Sequence, residues 1–168
     1  MAEPLVPADF EVPIPPTHEH FVFEVLGTEH NESDLEAWST SIDHIHGSPG
    51  WSTGGWPDRV YTLAENLADL RKHRDHHVRH LDFAWTVLDP ADTARVIGCV
   101  YLKPDPTSAA DAEARSWVSL VAADLDLPLR RHLAPWWESA WPLTIRYASA
   151  RVPEESAVAP SYGDRLPL

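Results

Sequence analysis

The chain of 168 residues has a single cysteine, Cys99. That excludes a disulfide framework and any cysteine-based zinc site. Positive charge is scarce too. Thirteen Lys plus Arg, eleven of them arginine, face 26 Asp plus Glu, for a formal net charge of −13. The positive footprint needed to hold a phosphate backbone is missing, and an anionic membrane surface is equally unsuitable. The overall field favours cationic or amine-bearing partners instead. No stretch approaches the ~18 apolar residues of a membrane span. The opening Met-Ala-Glu-Pro-Leu-Val-Pro has neither a basic segment nor an apolar core typical of a leader. The expectation is a soluble, cytoplasmic protein with no nucleic-acid or membrane partner. Phosphate-cradling glycine patterns and a G-X-S-X-G elbow are also absent.

What remains is an ordinary globular composition, 43% hydrophobic and 23% charged, in a length that suits one domain. Eight tryptophans demand burial. Prolines at 4, 7, 13, 15 and 16 make residues 1–17 an extended arm, because proline fixes φ and donates no amide. Residues 152–168 read as a second tail, which leaves 18–151 as the domain. A strand is expected over Phe21 to Leu26. Ser33 and Glu36 form a capping-box pattern, and Leu35, Trp38, Ile42 and Ile45 continue it as a helix over 33–46. A glycine-rich loop holds Trp51 and Trp56. Thr62 and Glu65 open a second helix over 62–80, with an apolar stripe through Leu63, Leu67, Leu70, His77 or Val78, and Leu81. Strands follow at 83–88, 95–102 and 113–121, and Gly98 marks a bulge or a close backbone approach. Asp124 or Asp126 would cap a helix through Trp141 that is kinked at Pro135, and a strand over 143–148 closes the domain. The class is α/β (α+β), with an antiparallel meander and a late crossover.

This order resembles the GNAT superfamily of N-acetyltransferases. The resemblance rests on Phe83-Ala-Trp-Thr-Val-Leu-Asp-Pro90 followed by Val96-Ile-Gly-Cys-Val-Tyr-Leu102, similar to that family's central hairpin. Glu113-Ala-Arg-Ser-Trp-Val-Ser-Leu-Val121 is similar to its splayed, acyl-receiving strand. The implied architecture is a GNAT-like mixed, mostly antiparallel sheet with two N-terminal helices and one long late helix. The implied activity is transfer of an acetyl or acyl group from acetyl-CoA or acyl-CoA to a small amine or a peptide amino terminus. Val118, Leu120 and Val121, with Arg130 and Arg131, would then hold the cofactor. The family's glycine-bearing pyrophosphate loop is replaced by Ala122-Ala-Asp-Leu-Asp-Leu-Pro-Leu-Arg-Arg131. It has no glycine, Pro128 removes an amide, and Asp124 and Asp126 add negative charge. The alternative is therefore a non-catalytic GNAT-like fold that has lost coenzyme A binding and holds a ligand or protein partner.

Amine acylation needs a proton acceptor and a positioned acceptor group. Asp43, His44 and Glu113, with Glu24 behind them, are the base candidates. Trp51, Trp56, Trp117 and Tyr101 are candidate substrate walls. His73, His76, His77 and His80 lie near Asp69 and Asp75 at spacings that can chelate zinc or nickel, which would allow a metal-dependent enzyme. No third ligand is evident, so the cluster is read as a solvated helix face and no metal is assigned. Cys99 is read as a buried small hydrophobe. A homodimer through an unpaired sheet edge is expected.

Overall fold

The computed structural model describes residues 2–51 and 55–148. The tail assigned to 152–168 and part of the glycine-rich loop, Ser52 to Gly54, lie outside the described residues. A five-stranded sheet runs in the order β1 (Val22–Val25), β2 (Phe83–Asp89), β3 (Asp92–Pro104), β4 (Ala112–Val118) and β5 (Ile145–Tyr147). Every neighbouring pair is antiparallel except β4 with β5, which is parallel. The parallel step needs a crossover, and α4 (Asp126–Ser139) supplies it. Among the described residues no helix is long and apolar enough to cross a membrane.

Side-chain alternation divides the core. One face of the sheet carries Phe83, Trp85, Val100, Leu102 and Val118 against α4, whose Leu129, Leu133, Trp136 and Trp137 are buried. The other face carries Ala84, Cys99, Tyr101 and Trp117 against α1 (Asn31–Ser39), α2 (Ile42–His46) and α3 (Leu63–Val78). The N-terminal arm lies on the α4 side. Val6 is buried there, Leu5 donates its amide to the His80 carbonyl at 2.7 Å, and Phe10 packs on Trp141.

Several local expectations hold. The Thr62–Glu65 capping box forms with both reciprocal bonds, at 3.2 and 2.8 Å. Gly98 serves both roles foreseen for it. The β2–β3 register skips at Ile97, and a methyl group on Gly98 would run into the Trp117 carbonyl oxygen. Pro135 lies inside α4.

Others are corrected. The helix expected over 33–46 is two helices, separated at Thr40–Ser41. There both hydroxyls bond back to carbonyls four residues earlier, at 2.7 Å each, and compete with the backbone ladder. Ser33 does not cap α1. Its Oγ accepts the Val96 amide at 2.8 Å beside the β3 bulge. The expected stripe holds at Leu70 and Leu81, which are buried, and at half-buried Leu67 and His77, but not at exposed Leu63, while Asn66 is buried beside it. The strand expected to reach Val121 ends at Val118 and becomes a 3-10 turn, Leu120–Leu125. Neither Asp124 nor Asp126 caps α4. Leu125 stands at that position without a side-chain bond, and Asp126 pairs with Arg130 one turn on, at 3.0 Å.

Candidate functional site: an aromatic-walled cavity

A cavity of about 210 Å³ opens between α3, β3 and the loop after α2. Trp51 and Trp56 form one wall, with ring centroids 5.4 Å apart. Tyr101 of β3 meets Trp51 edge-on at 5.6 Å and forms the floor. Each ring is held by its neighbours. Trp51 Nε1 donates to the Ser116 carbonyl at 2.9 Å, and Trp117 Nε1 donates to Tyr101 Oη at 3.3 Å. Trp38, fixed by Nε1 donation to Asn66 Oδ1 at 3.0 Å, backs Trp56 at 5.3 Å. Of the four proposed walls, Trp51, Trp56 and Tyr101 line the cavity. Trp117 is fully buried behind Trp56.

The polar side of the cavity comes from α3. Asp69, Lys72, His73 and His76 lie at i, i+3, i+4 and i+7, so one helix face presents all four. His73 Nε2 is 3.6 Å from Asp69 Oδ2, while its buried Nδ1 has no protein partner among the described residues. Burial pushes the Asp69 carboxyl up, but His73 and the charges of Lys103 and Lys72 outweigh it and hold the group below its ordinary value. Asp69 is therefore ionised at neutral pH and faces a mixed aromatic and basic cavity.

The four helix histidines diverge. His73 lines the cavity, and His76 Nδ1 meets Asp82 Oδ2 at 2.7 Å. His77 stands edge-on to Phe83 and Trp85, and His80 Nδ1 donates to the Pro7 carbonyl at 2.9 Å. Among the described residues no three metal-binding groups converge.

The base candidates lie elsewhere. Asp43 is exposed on α2, and His44 is half-buried with an unpartnered Nε2. Glu113 is buried on β4, where its carboxylate accepts from Arg115 and Arg146. Glu24 meets His30 at 2.8 Å. None of these four lines the aromatic cavity. Cys99 is buried, donates to the Trp85 carbonyl, and has its thiol pushed up by burial.

The residues assigned to the cofactor flank the opening where β4 runs on beyond its last pairing with β5. Arg130 fills this opening. Its guanidinium donates to the Ala148 carbonyl at 2.6 Å and to the Pro49 and Ser116 carbonyls at 3.4 Å each, and its Nε binds Asp126. Tyr147 Oη closes on Ser116 Oγ at 2.7 Å. Val118 is buried, Leu120 and Val121 are exposed, and so is Arg131. The Leu120 amide is taken by Ser41 Oγ, and the Ala122 amide donates to the Ser119 carbonyl at 2.9 Å. A pyrophosphate would meet an exposed Asp124 and a fully engaged Arg130. As arranged, these residues do not fit coenzyme A.

No protein-family model matches the chain, and no curated protein does. Solved structures do. The chain is similar to a ribosomal L7/L12 alpha-N-protein acetyltransferase crystallised with coenzyme A. The two share 14% identity, 71% of this chain and 69% of that one are covered, and the TM-score is 0.49. It is also similar to a ribosomal-protein-S5-alanine acetyltransferase from Vibrio fischeri, at 12% identity, 74% and 69% coverage, and TM-score 0.47. An acetyltransferase from Trypanosoma brucei aligns at 17% identity over 88% and 98%, with TM-score 0.46. The likeness extends to the chain path, and the functional reading rests on this chain's own residues.

Proposed function

We propose that the protein binds a small amine in the cavity between Trp51, Trp56 and Tyr101, on the acceptor side of a GNAT-like fold. The observation that carries this reading is the ionised Asp69, paired with His73 and facing aromatic rings. An ammonium gains from the carboxylate and from the ring faces, the latter worth ~0.5–2 kcal/mol. His73, which lines the cavity beside Asp69, is the residue assigned to accept a proton from the bound amine. The net charge of −13 draws cations to the surface generally. N-acylation of that amine is the activity the family resemblance adds. A second reading, amine binding without transfer, is favoured by one observation: Arg130 and Trp51 both bond the Ser116 carbonyl, where an acyl donor would have to enter.

The test is calorimetric titration with a panel of small amines, with and without acetyl-CoA, followed by mass analysis of the amine. Amine binding that Asp69→Asn weakens at least tenfold supports the site. An acetylated product selects the transferase reading. Amine binding without acetyl-CoA binding or product selects the second. If no amine in the panel binds, the site assignment fails.

A further inference from the structure

The chain has only two lysines, Lys72 and Lys103, and both line this one cavity. Lys72 comes from α3 and Lys103 from β3, so 31 residues of chain separate them and only the fold brings them together. Among the described residues every ion pair is made by arginine or histidine, and no carboxylate there lies within 4.0 Å of either lysine. Glu113 stands opposite Lys103 across the β3–β4 ladder, but its oxygens are bound by Arg115 and Arg146. Lys103 instead rests over the Tyr101 ring, with Nζ 5.6 Å from the centroid. Both lysines share the cavity lining with Asp69. In a chain with 26 acidic residues, two unpaired lysines at one cavity oppose a plain cation and invite an anion.

We propose that the ligand is a free α-amino acid with an apolar or aromatic side chain. This rests on the amine reading above and narrows it. Asp69 takes the α-ammonium, Lys72 and Lys103 take the α-carboxylate, and the side chain lies against Trp51, Trp56 and Tyr101. The size agrees. About 210 Å³ is smaller than the ~300–1,000 Å³ of typical small-molecule pockets, which suits a compact metabolite. A peptide amino terminus carries an amide where the amino acid carries its carboxylate, and so leaves both lysines unanswered.

The experiment compares L-phenylalanine, L-leucine and L-tryptophan with their C-terminal amides by calorimetric titration. The wild type and a Lys72→Gln/Lys103→Gln double variant are run side by side. Both lysines are exposed, so the double variant keeps the fold, which circular dichroism checks. At least one free acid binds tenfold or more tighter than its amide, and the double variant lowers that acid to the level of its amide. Equal binding of acids and amides overturns the carboxylate assignment and leaves the amine site standing. A gap that survives in the double variant removes the lysines from the role. Absence of binding by every acid overturns this inference, and the amine panel above then decides the amine reading separately.

Discussion

Asp34, in the first turn of α1, is 4% exposed, and Asn66 donates to its Oδ2 at 3.0 Å. Burial is the largest influence on it and raises its pKa from 3.8 to about 6. The folded state therefore holds this proton more tightly than the unfolded chain. The stabilisation is fully present below about pH 3.8 and is lost as pH rises through about 6. Relative to Asp34→Asn, the wild type should lose about 3 kcal/mol between pH 4 and pH 7, at ~1.4 kcal/mol per unit. Urea unfolding of both proteins at the two pH values measures this, and a constant difference would contradict it. His77 works in the opposite direction. Burial lowers its pKa from 6.5 to about 4, so its contribution is present above 6.5 and fades as pH falls toward 4. The two slopes oppose each other in the same window, and His77→Gln should steepen the wild-type loss with rising pH. Neither residue advertises this in the sequence. Asp34 reads as a polar residue in a helix's first turn, and Asn66 interrupts an apolar stripe. Their burial follows from a shared network with Asn31 and Trp38 about 30 residues away.

Gly98 shows what a strand can require of one residue. Its backbone passes so close to the Trp117 carbonyl that a side chain has no room. Gly98→Ala should cost about 1–3 kcal/mol, as overpacking generally does, and lower the denaturation midpoint. An unchanged midpoint would mean that β3 and β4 part without penalty. This close approach was legible in the chain, because a glycine inside an apolar run forgoes side-chain packing, and a strand gains from that where another backbone comes near. The Thr62–Glu65 cap was legible for a similar reason, both partners being local. Ser33–Glu36 has the same pattern but a different outcome, since the Ser33 hydroxyl finds Val96 in another element. The break at Ser41 was hidden likewise. Its Oγ accepts the amide of Leu120, 79 positions along the chain. Local signals survive where no distant partner competes for the same atoms.

Across the whole molecule, the proline-rich arm is part of the packing. Its carbonyls at Pro7 and Pro16 accept from the imidazoles of His80 and His132, at 2.9 and 2.8 Å, and Val6 sits in the tryptophan-rich core. Val6→Asp should release the arm, cost about 2 kcal/mol from the lost burial alone, and red-shift tryptophan emission as Trp141 is uncovered. Unshifted emission would show that the arm adds no cover. The extended form of the arm was readable from its prolines, but its docking site was not, because that depends on where α3 and α4 end. Two of the rings that line the cavity, Trp51 and Trp56, were readable as rings on a glycine-rich loop. Asp69 and His73 were visible only as members of a histidine cluster, because the fold alone decides which way each ring turns. The convergence of Lys72 and Lys103 has a chemical consequence. An amine-directed acylating dye finds no other lysine side chain anywhere in this sequence. Labelling at these two positions would place a fluorophore at the mouth of a single cavity. Once excess dye is removed, ligands could be ranked by the change in its emission, without first knowing what the protein does to them.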